Sequence, residues 1–308
     1  MEIRNILICG GGMMGKNIAF VFASNPDYRI AVYDLYDTDI YAGIRTNTKQ
    51  LVEKGVLTEE ELAARLERIS FTTDIDSELV SGADLVIEAV FEDMKIKRET
   101  FAKLEARCRP DTIFCTNSSV MSPSEISAEL KYRERFVGTH FWNPGHLIPL
   151  VEVIKSDASS DEVANIVMDV LASVGKEPVL CKKDVPGFIA NRMQHALWRE
   201  AISIVERGIA DAATVDKAVK YSFGLRLPQL APMENADMVG TDLTYNIHDY
   251  ILKDLEDSHE PSPLLKQLRD EGKLGFKSGE GFQTWTPEQA AASNAALNEY
   301  LIRMLYGK

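Results

Sequence analysis

The residue types with the clearest chemistry lie in Gly138-Thr139-His140-Phe141-Trp142-Asn143-Pro144 and the following Leu150-Val151-Glu152-Val153-Ile154. If the two runs pair as a hairpin centred on residue 146, positions 140 and 152 stand directly opposite each other, and their side chains meet across the strands. A carboxylate so placed fixes the imidazole tautomer and stabilises its protonated form, the wiring of a general base that must later act as an acid. The same pairing also suits an ordinary buried His–Glu contact, because structural ion pairs perturb proton affinities too. The residues alone leave both readings open.

A second constellation stands at the start of the chain. Gly10-Gly11-Gly12-Met13-Met14-Gly15 fits G-x-G-x-x-G, follows the strand-like Ile3–Cys9 run and opens a helical pattern. Glycine permits the tight turn and a close approach of backbone to pyrophosphate, and the helix start supplies unpaired N–H groups. Asp34 closes the next strand-like run, where a carboxylate accepts from the adenosine ribose hydroxyls. Another acid, Asp37, follows and no Arg or Lys stands immediately after, so a 2′-phosphate would be repelled. The loop predicts a dinucleotide site, and Asp34 selects NAD over NADP.

These groups need a scaffold. Ile3–Cys9, Arg29–Tyr33, Asp84–Glu88 and Thr112–Thr116 are short, Val- and Ile-rich runs separated by helical patterns. That alternation predicts an α/β fold, a Rossmann doubly wound parallel sheet. Arg135–Phe141, Leu150–Ile154 and Pro178–Cys181 are further strand candidates, with a helix over Asp161–Val174. Residues 38–69 are polar and helix-forming, broken at Gly55, with Thr58-Glu59-Glu60-Glu61 resembling a capping box. They predict a helical hairpin inserted into the sheet frame. After Pro186-Gly187 the strand signal ends. Helices are expected over Ile189–Arg207, stopped at Gly208, over Ala213–Ser222, stopped at Gly224, and on to about residue 270, with a terminal helix opened by Thr286-Pro287-Glu288-Gln289. The expected division is a dinucleotide-binding domain over 1–185 and an all-α C-terminal domain over 186–308.

Bulk properties narrow the partners. A net charge of −13 argues against nucleic acid, which needs a concentrated basic face. No apolar run approaches membrane-spanning length and no charged-then-apolar leader precedes Ile3–Cys9, so a cytoplasmic location is expected. Cys9, Cys108, Cys115 and Cys181 show no metal-ligand spacing; no metal or disulfide is expected, and Cys9 and Cys115 read as core thiols. His195, His248 and His259 read as structural or exposed, and Trp198 and the methionines as core. His146, in the loop of the expected hairpin, reads either as a substrate contact or as structural.

With the glycine loop, Val86-Ile87-Glu88-Ala89-Val90-Phe91-Glu92, Asn117-Ser118-Ser119, the His140 and Glu152 segments, Pro186-Gly187-Phe188-Ile189-Ala190-Asn191-Arg192 and Gly275-Phe276-Lys277-Ser278-Gly279-Glu280-Gly281-Phe282, the chain resembles the L-3-hydroxyacyl-CoA dehydrogenase family over residues 3–285. The resemblance implies that His140 is the catalytic acid–base group and Glu152 its orienting partner. It implies that Ser119 and Asn191 hydrogen-bond the substrate oxygen, and that Glu92, Lys97, Ser119, Asn143 and Lys277 lie against NAD. His140 would then take the proton of a 3-hydroxyl during oxidation and return it during reduction. It further implies a cleft between two domains, a homodimer formed through the helical one, and a CoA thioester such as 3-hydroxybutyryl-CoA contacted from the arm, where Asn47, Lys49 and Lys54 stand.

Several positions depart from the family pattern. Gly145-His146-Leu147-Ile148-Pro149 replaces a valine- and proline-rich stretch with Met-Lys, Leu227-Pro228-Gln229-Leu230-Ala231-Pro232-Met233 replaces Pro-Met-Gly-Pro, and Asn-Ser-Ser replaces Asn-Thr-Ser. The chain also continues past the usual end by a helix. These features are similar to relatives that act on substrates without CoA: gulonate dehydrogenase (lambda-crystallin), carnitine dehydrogenase and a pyridine-carboxylate dehydrogenase. A third alternative is a crystallin- or sensor-like protein that binds NADH without turnover.

Overall fold

In the computed structural model, which describes residues 1–308, eight strands form one sheet: β1 (Asn5–Cys9), β2 (Arg29–Tyr33), β3 (Ile69–Thr72), β4 (Leu85–Glu88), β5 (Ile113–Thr116), β6 (Phe136–Phe141), β7 (Leu150–Lys155) and β8 (Glu177–Cys181). Their order is β3-β2-β1-β4-β5-β6-β7-β8. Neighbours are parallel from β3 to β6; β7 runs antiparallel to β6, and β8 parallel to β7. Strand order reverses between β1 and β4, so the crevice beyond their carboxyl ends lies at the topological switch point of a Rossmann sheet.

Burial explains why the central strands carry almost no polar residues. Helices cover both faces, and side chains alternate between them. Ile6 and Ile8 of β1 enter one core with Ile18, Phe22 and Val32, while Leu7 and Cys9 enter the other with Val86, Phe101 and Phe114. All four cysteines are free thiols; Cys9 and Cys115 are buried in these cores.

The arm is a helical hairpin. Its helices, Ile40–Glu53 and Glu59–Leu66, are separated at Gly55, whose φ of 65° suits glycine. Thr58 and Glu61 form the reciprocal capping box. The sequence reading missed β3, which begins where the arm ends. It is four residues long, lies at the sheet edge and is half-exposed, so its Ile-Ser-Phe-Thr alternation is too short to stand out.

Three other expectations need correction. Gly224 does not stop a helix but lies within a short one, Phe223–Arg226, where an added Cβ would stand 2.6 Å from the Val219 carbonyl oxygen. Trp198 is half-exposed, its ring edge-on to His195 at 5.0 Å. Met193, Met233 and Met238 are exposed rather than core.

The chain divides into two compact units, Met1–Ala190 with Ala296–Lys308, and Asn191–Ala295. This differs from a division at 185/186 in two places. The first unit runs on to Ala190, because Glu152 accepts the N–H groups of Ile189 and Ala190. It also includes the end of the terminal helix, Pro287–Tyr306, which is capped as expected by Thr286 and Gln289. Ile302 enters the first core at 1% exposure and Lys54 of the arm pairs with Glu299 at 2.6 Å. An exposed ion pair of this kind contributes little; burial of Ile302 is the larger attachment. Ile302→Ala should therefore cost about 2–4 kcal/mol in chemical denaturation, whereas Glu299→Gln should cost less than about 1 kcal/mol.

Candidate active site

The β6–β7 register places His140 opposite Glu152. Both are buried, and His140 Nδ1 lies 2.9 Å from Glu152 Oε2. A carboxylate can only accept, so Nδ1 carries the proton and Nε2 keeps its lone pair for other partners. Trp142 donates its indole Nε1–H to the same oxygen at 3.3 Å, and Glu152 Oε1 accepts from Ile189 N at 2.8 Å and Ala190 N at 3.0 Å. Burial pushes the Glu152 carboxyl up; donation by His140, Ala190, Ile189 and Trp142 together outweighs it and holds the group below the usual carboxylate range. The two backbone donors open the helix Ala190–Glu206, so Glu152 also serves as its cap.

Phe188 packs on the imidazole with ring centres 5.7 Å apart and holds a φ of 51°, after Gly187 at 76°. A bulky residue with positive φ is strained and persists only where its surroundings compensate; here Phe188 is 2% exposed. Its place was legible as a Pro-Gly turn signal and as part of the Pro186–Arg192 motif, but its contact with the imidazole was not.

Next to the hairpin, the β5 end carries Asn117-Ser118-Ser119. Asn117 Oδ1 accepts from Phe141 N at 2.9 Å and so ties this loop to the His140 strand. Glu92 Oε1 accepts from Ser119 N at 2.9 Å and from the Ser118 hydroxyl. Glu92 Oε2 lies 3.1 Å from Lys97 Nζ, which donates to Glu88 Oε1 at 2.7 Å. Burial raises the Glu92 carboxyl, but Ser118, Lys97 and Ser119 outweigh it and hold it low. Lys97 is 1% exposed. It reaches the site as the counter-ion of Glu88 and Glu92 rather than through a surface of its own. Neither the Glu88–Lys97 pair nor the Asn117 clamp was legible in the sequence, although Glu88 and Asn117 lie in quoted motifs and Lys97 was expected against NAD.

The glycine loop fits a dinucleotide. A Cβ on Gly15 would fall 1.8 Å from Gly10 O, and one on Gly10 would fall 2.6 Å from Ala89 O, so these two are required by packing. A Cβ on Gly12 would meet no atom within 4 Å; this glycine caps the helix Met13–Phe22 without a side chain of its own. That leaves backbone N–H groups at a helix start for an anionic ligand. Asp34 is anchored by Gly11 N at 2.6 Å and Tyr36 N at 3.1 Å. Gly10, Gly12, Met13, Met14, Asp34 and Val90 are among the residues lining a cavity of about 370 Å³ at the switch point.

Other expected contacts are placed as follows. Asn143 is exposed and precedes a cis peptide bond to Pro144. Asn191 is buried and Lys277 exposed, both in the second unit. Asn47 Nδ2 donates to Asn17 Oδ1 at 2.7 Å, and Lys54 pairs with Glu299. His146 lines a separate cavity of about 610 Å³ with Arg65, Leu147, Lys176 and Tyr306, none of them a group of the His140 site. Burial, with Lys176 nearby, pushes His146 down to about 4. Lys176, pushed down to about 8 by burial, holds the Gly145 and Ile148 carbonyls at 2.7 and 2.8 Å.

Two family models match: 3-hydroxyacyl-CoA dehydrogenase, NAD binding domain, over residues 5–185, and 3-hydroxyacyl-CoA dehydrogenase, C-terminal domain, over residues 187–285. The chain belongs to the 3-hydroxyacyl-CoA dehydrogenase family. It is accordingly an NAD-dependent oxidoreductase of the type acting on a CH–OH group. Among relatives, it is 35% identical to a Mesorhizobium japonicum 5-formyl-3-hydroxy-2-methylpyridine 4-carboxylate 5-dehydrogenase, over 99% of each chain. It is 37% identical to a probable 3-hydroxybutyryl-CoA dehydrogenase of Bacillus subtilis, over 92% of this chain and 97% of that one. A solved structure of a pyridine-carboxylate 5-dehydrogenase, described as an NAD⁺-dependent dismutase, superposes with a TM-score of 0.90 at 34% identity and covers all of both chains.

The hydrogen-bonded carboxylate makes a prediction about stability. Because the folded Glu152 carboxyl lies below its unfolded value, its contribution is complete above about pH 4.3 and is lost as pH falls through the depressed folded value. Glu152→Gln should cost about 3 kcal/mol at neutral pH. In denaturation curves recorded across the acid range, the variant should show a shallower decline than the parent.

Proposed function

We propose that this family member transfers hydride between NAD and a small carboxylate-bearing alcohol or aldehyde that carries no CoA, with His140 as its acid–base group. The chemical half rests on one observation, the 2.9 Å contact between His140 Nδ1 and Glu152 Oε2. With Nδ1–H committed to the carboxylate, Nε2 accepts the proton of a substrate hydroxyl, and the adjacent negative charge stabilises the imidazolium. NAD, when bound, supplies the hydride acceptor. In the reverse direction Nε2 returns the proton to the developing alkoxide, while Ser119 hydrogen-bonds the same oxygen. Glu92 and Asn143 would face the cofactor, with Lys97 holding Glu92 in place.

The substrate half rests on the arm. Of the three arm groups expected to meet CoA, Asn47 and Lys54 are committed to Asn17 and Glu299, while Lys49 is exposed and pairs with Glu53 on its own helix at 3.5 Å. Glu299 neutralises the Lys54 charge, and Ile302 anchors its helix in the core. That helix lies beyond residue 285, where the family model stops. The full-length similarity to the pyridine-carboxylate 5-dehydrogenase supports a substrate of that kind. A formyl group suits this site in both directions. Oxidation of the hydrated aldehyde removes a hydroxyl proton and reduction of a second aldehyde adds one, so a single Nε2 atom serves each half of a dismutation.

The second reading is a short-chain 3-hydroxyacyl-CoA such as 3-hydroxybutyryl-CoA, as in fatty-acid metabolism. It is favoured by both family descriptions and by the similarity to the Bacillus relative.

The second unit exposes Tyr221, Leu225, Met233, Tyr245 and Tyr250, each more than two-thirds accessible, and buries only Asn191 and Ser203. So much apolar surface on short amphipathic helices calls for a partner, and a second copy of the chain is the occupant we propose. No helix is long and apolar enough to cross a membrane. Four free thiols suit a reducing, cytoplasmic setting.

Turnover followed by NADH absorbance separates the substrates. Expected is oxidation of 5-formyl-3-hydroxy-2-methylpyridine 4-carboxylate with kcat/KM at least about tenfold above that for acetoacetyl-CoA reduction; the opposite ranking refutes the CoA-free reading. In the same assay His140→Ala should lose about 10²–10⁴-fold in kcat while binding NADH as before, and retained turnover would refute the role of His140. Sedimentation equilibrium should give twice the chain mass, and Tyr250→Asp should shift it toward the monomer.

A further inference from the structure

Glu152 Oε2 has two side-chain donors of different character. His140 changes its protonation during turnover, whereas the Trp142 indole N–H only donates and does not titrate. Positions 140 and 142 alternate along the chain, which puts both rings on one face. The ring centres are 5.3 Å apart at 49°. On the other oxygen, the Ile189 and Ala190 N–H groups are equally indifferent to protonation.

We propose that Trp142 is a positioning residue for the acid–base cycle, holding Glu152 Oε2 in place through both states of His140 and drawing part of its charge away from the imidazole. The proposal rests on the reading of His140 as the acid–base group. Its physical basis is the buried carboxylate. At 0% exposure, Oε2 has no solvent to occupy a second lone pair. Without the indole, all of the interaction on that oxygen would fall on His140, and the imidazolium would be held more tightly. With it, the proton taken up at Nε2 is released more readily. Trp142 thereby tunes the balance between accepting and returning a proton, which a reversible hydride transfer requires.

Other titratable groups nearby do not substitute for it. Cys181 on β8 is pushed up by burial and by the Glu152 charge, and its Sγ donates to the Lys183 carbonyl rather than to Glu152. Asp184 accepts from Ser122 and Ser124. In the β6–β7 loop His146 faces the separate cavity, and Lys176 before β8 holds loop carbonyls. His140 and Trp142 are the side chains that donate to Glu152 Oε2 at 2.9 and 3.3 Å.

Trp142→Phe keeps an aromatic ring and removes the donor. In the full-length enzyme with NAD and its accepted substrate, the acid limb of kcat/KM against pH should move up by about 0.5–1 unit, a three- to tenfold rise in proton affinity, with KM for NAD unchanged. A purely structural role would lower the thermal midpoint and kcat without moving that limb. An unmoved limb in Trp142→Phe, with His140→Ala inactive, overturns the proposal and leaves the role of His140 standing. An active His140→Ala overturns both. A measurement on the unsubstituted protein guards against a misfolded variant. Among its three tryptophans, the Trp142 indole N–H resonance should shift as the histidine ring resonances of His140 titrate. An indole resonance that stays fixed through that titration also overturns the proposal.

Discussion

A carboxylate sealed from water must fill its lone pairs with protein donors, and Glu152 does so with four: two side chains from its own hairpin and two backbone N–H groups from the start of the following helix. Each donor defines something else. His140 receives its tautomer, Trp142 its orientation, and the turn at Pro186-Gly187-Phe188 the point at which a helix can begin. Replacing the carboxylate would leave these groups without an acceptor in a site where burial makes that expensive. The strain at Phe188 is tolerated in the same setting, since its ring closes the space beside the imidazole.

The sheet delivers the hairpin to the right place. Parallel strands from β3 to β6 carry their carboxyl ends to one edge, and reversal of order between β1 and β4 opens the crevice for the dinucleotide. Switching to an antiparallel β7 turns the chain back immediately, so His140 and Glu152 come from adjacent strands rather than across a helical crossover. Glu92, held by Lys97, and Asn117, held to Phe141 N, join the β4 and β5 ends to the same edge. The cofactor loop and the His140–Glu152 pair are thus parts of one sheet.

The arm is polar and helical, and the end of the terminal helix belongs to the same compact unit. Its hold comes from apolar burial at Ile302, while the Lys54–Glu299 pair sets the local charge. The buried His140–Glu152 pair and the surface formed by the arm and the end of the terminal helix share no residue, so the second can diverge within a family without disturbing the first.

Much of the fold and site was legible in the sequence because it depends on local periodicity and register. Alternation of strand and helix patterns marks a Rossmann sheet, the glycine spacing marks its loop, and a hairpin centred on residue 146 puts 140 opposite 152 by counting alone. The short edge strand β3 was not legible, since four half-exposed residues carry too little pattern. Nor was the commitment of Lys97, Asn47 and Lys54 to internal partners, because a charged or polar side chain has the same sequence signature whether it faces a ligand or a neighbour. The second donor on Glu152 and the inclusion of residues 296–308 in the first unit depend on contacts between segments far apart in the chain. Sequence patterns determined which residues share a strand or helix face; only tertiary packing decided which lone pairs and apolar surfaces those faces satisfied.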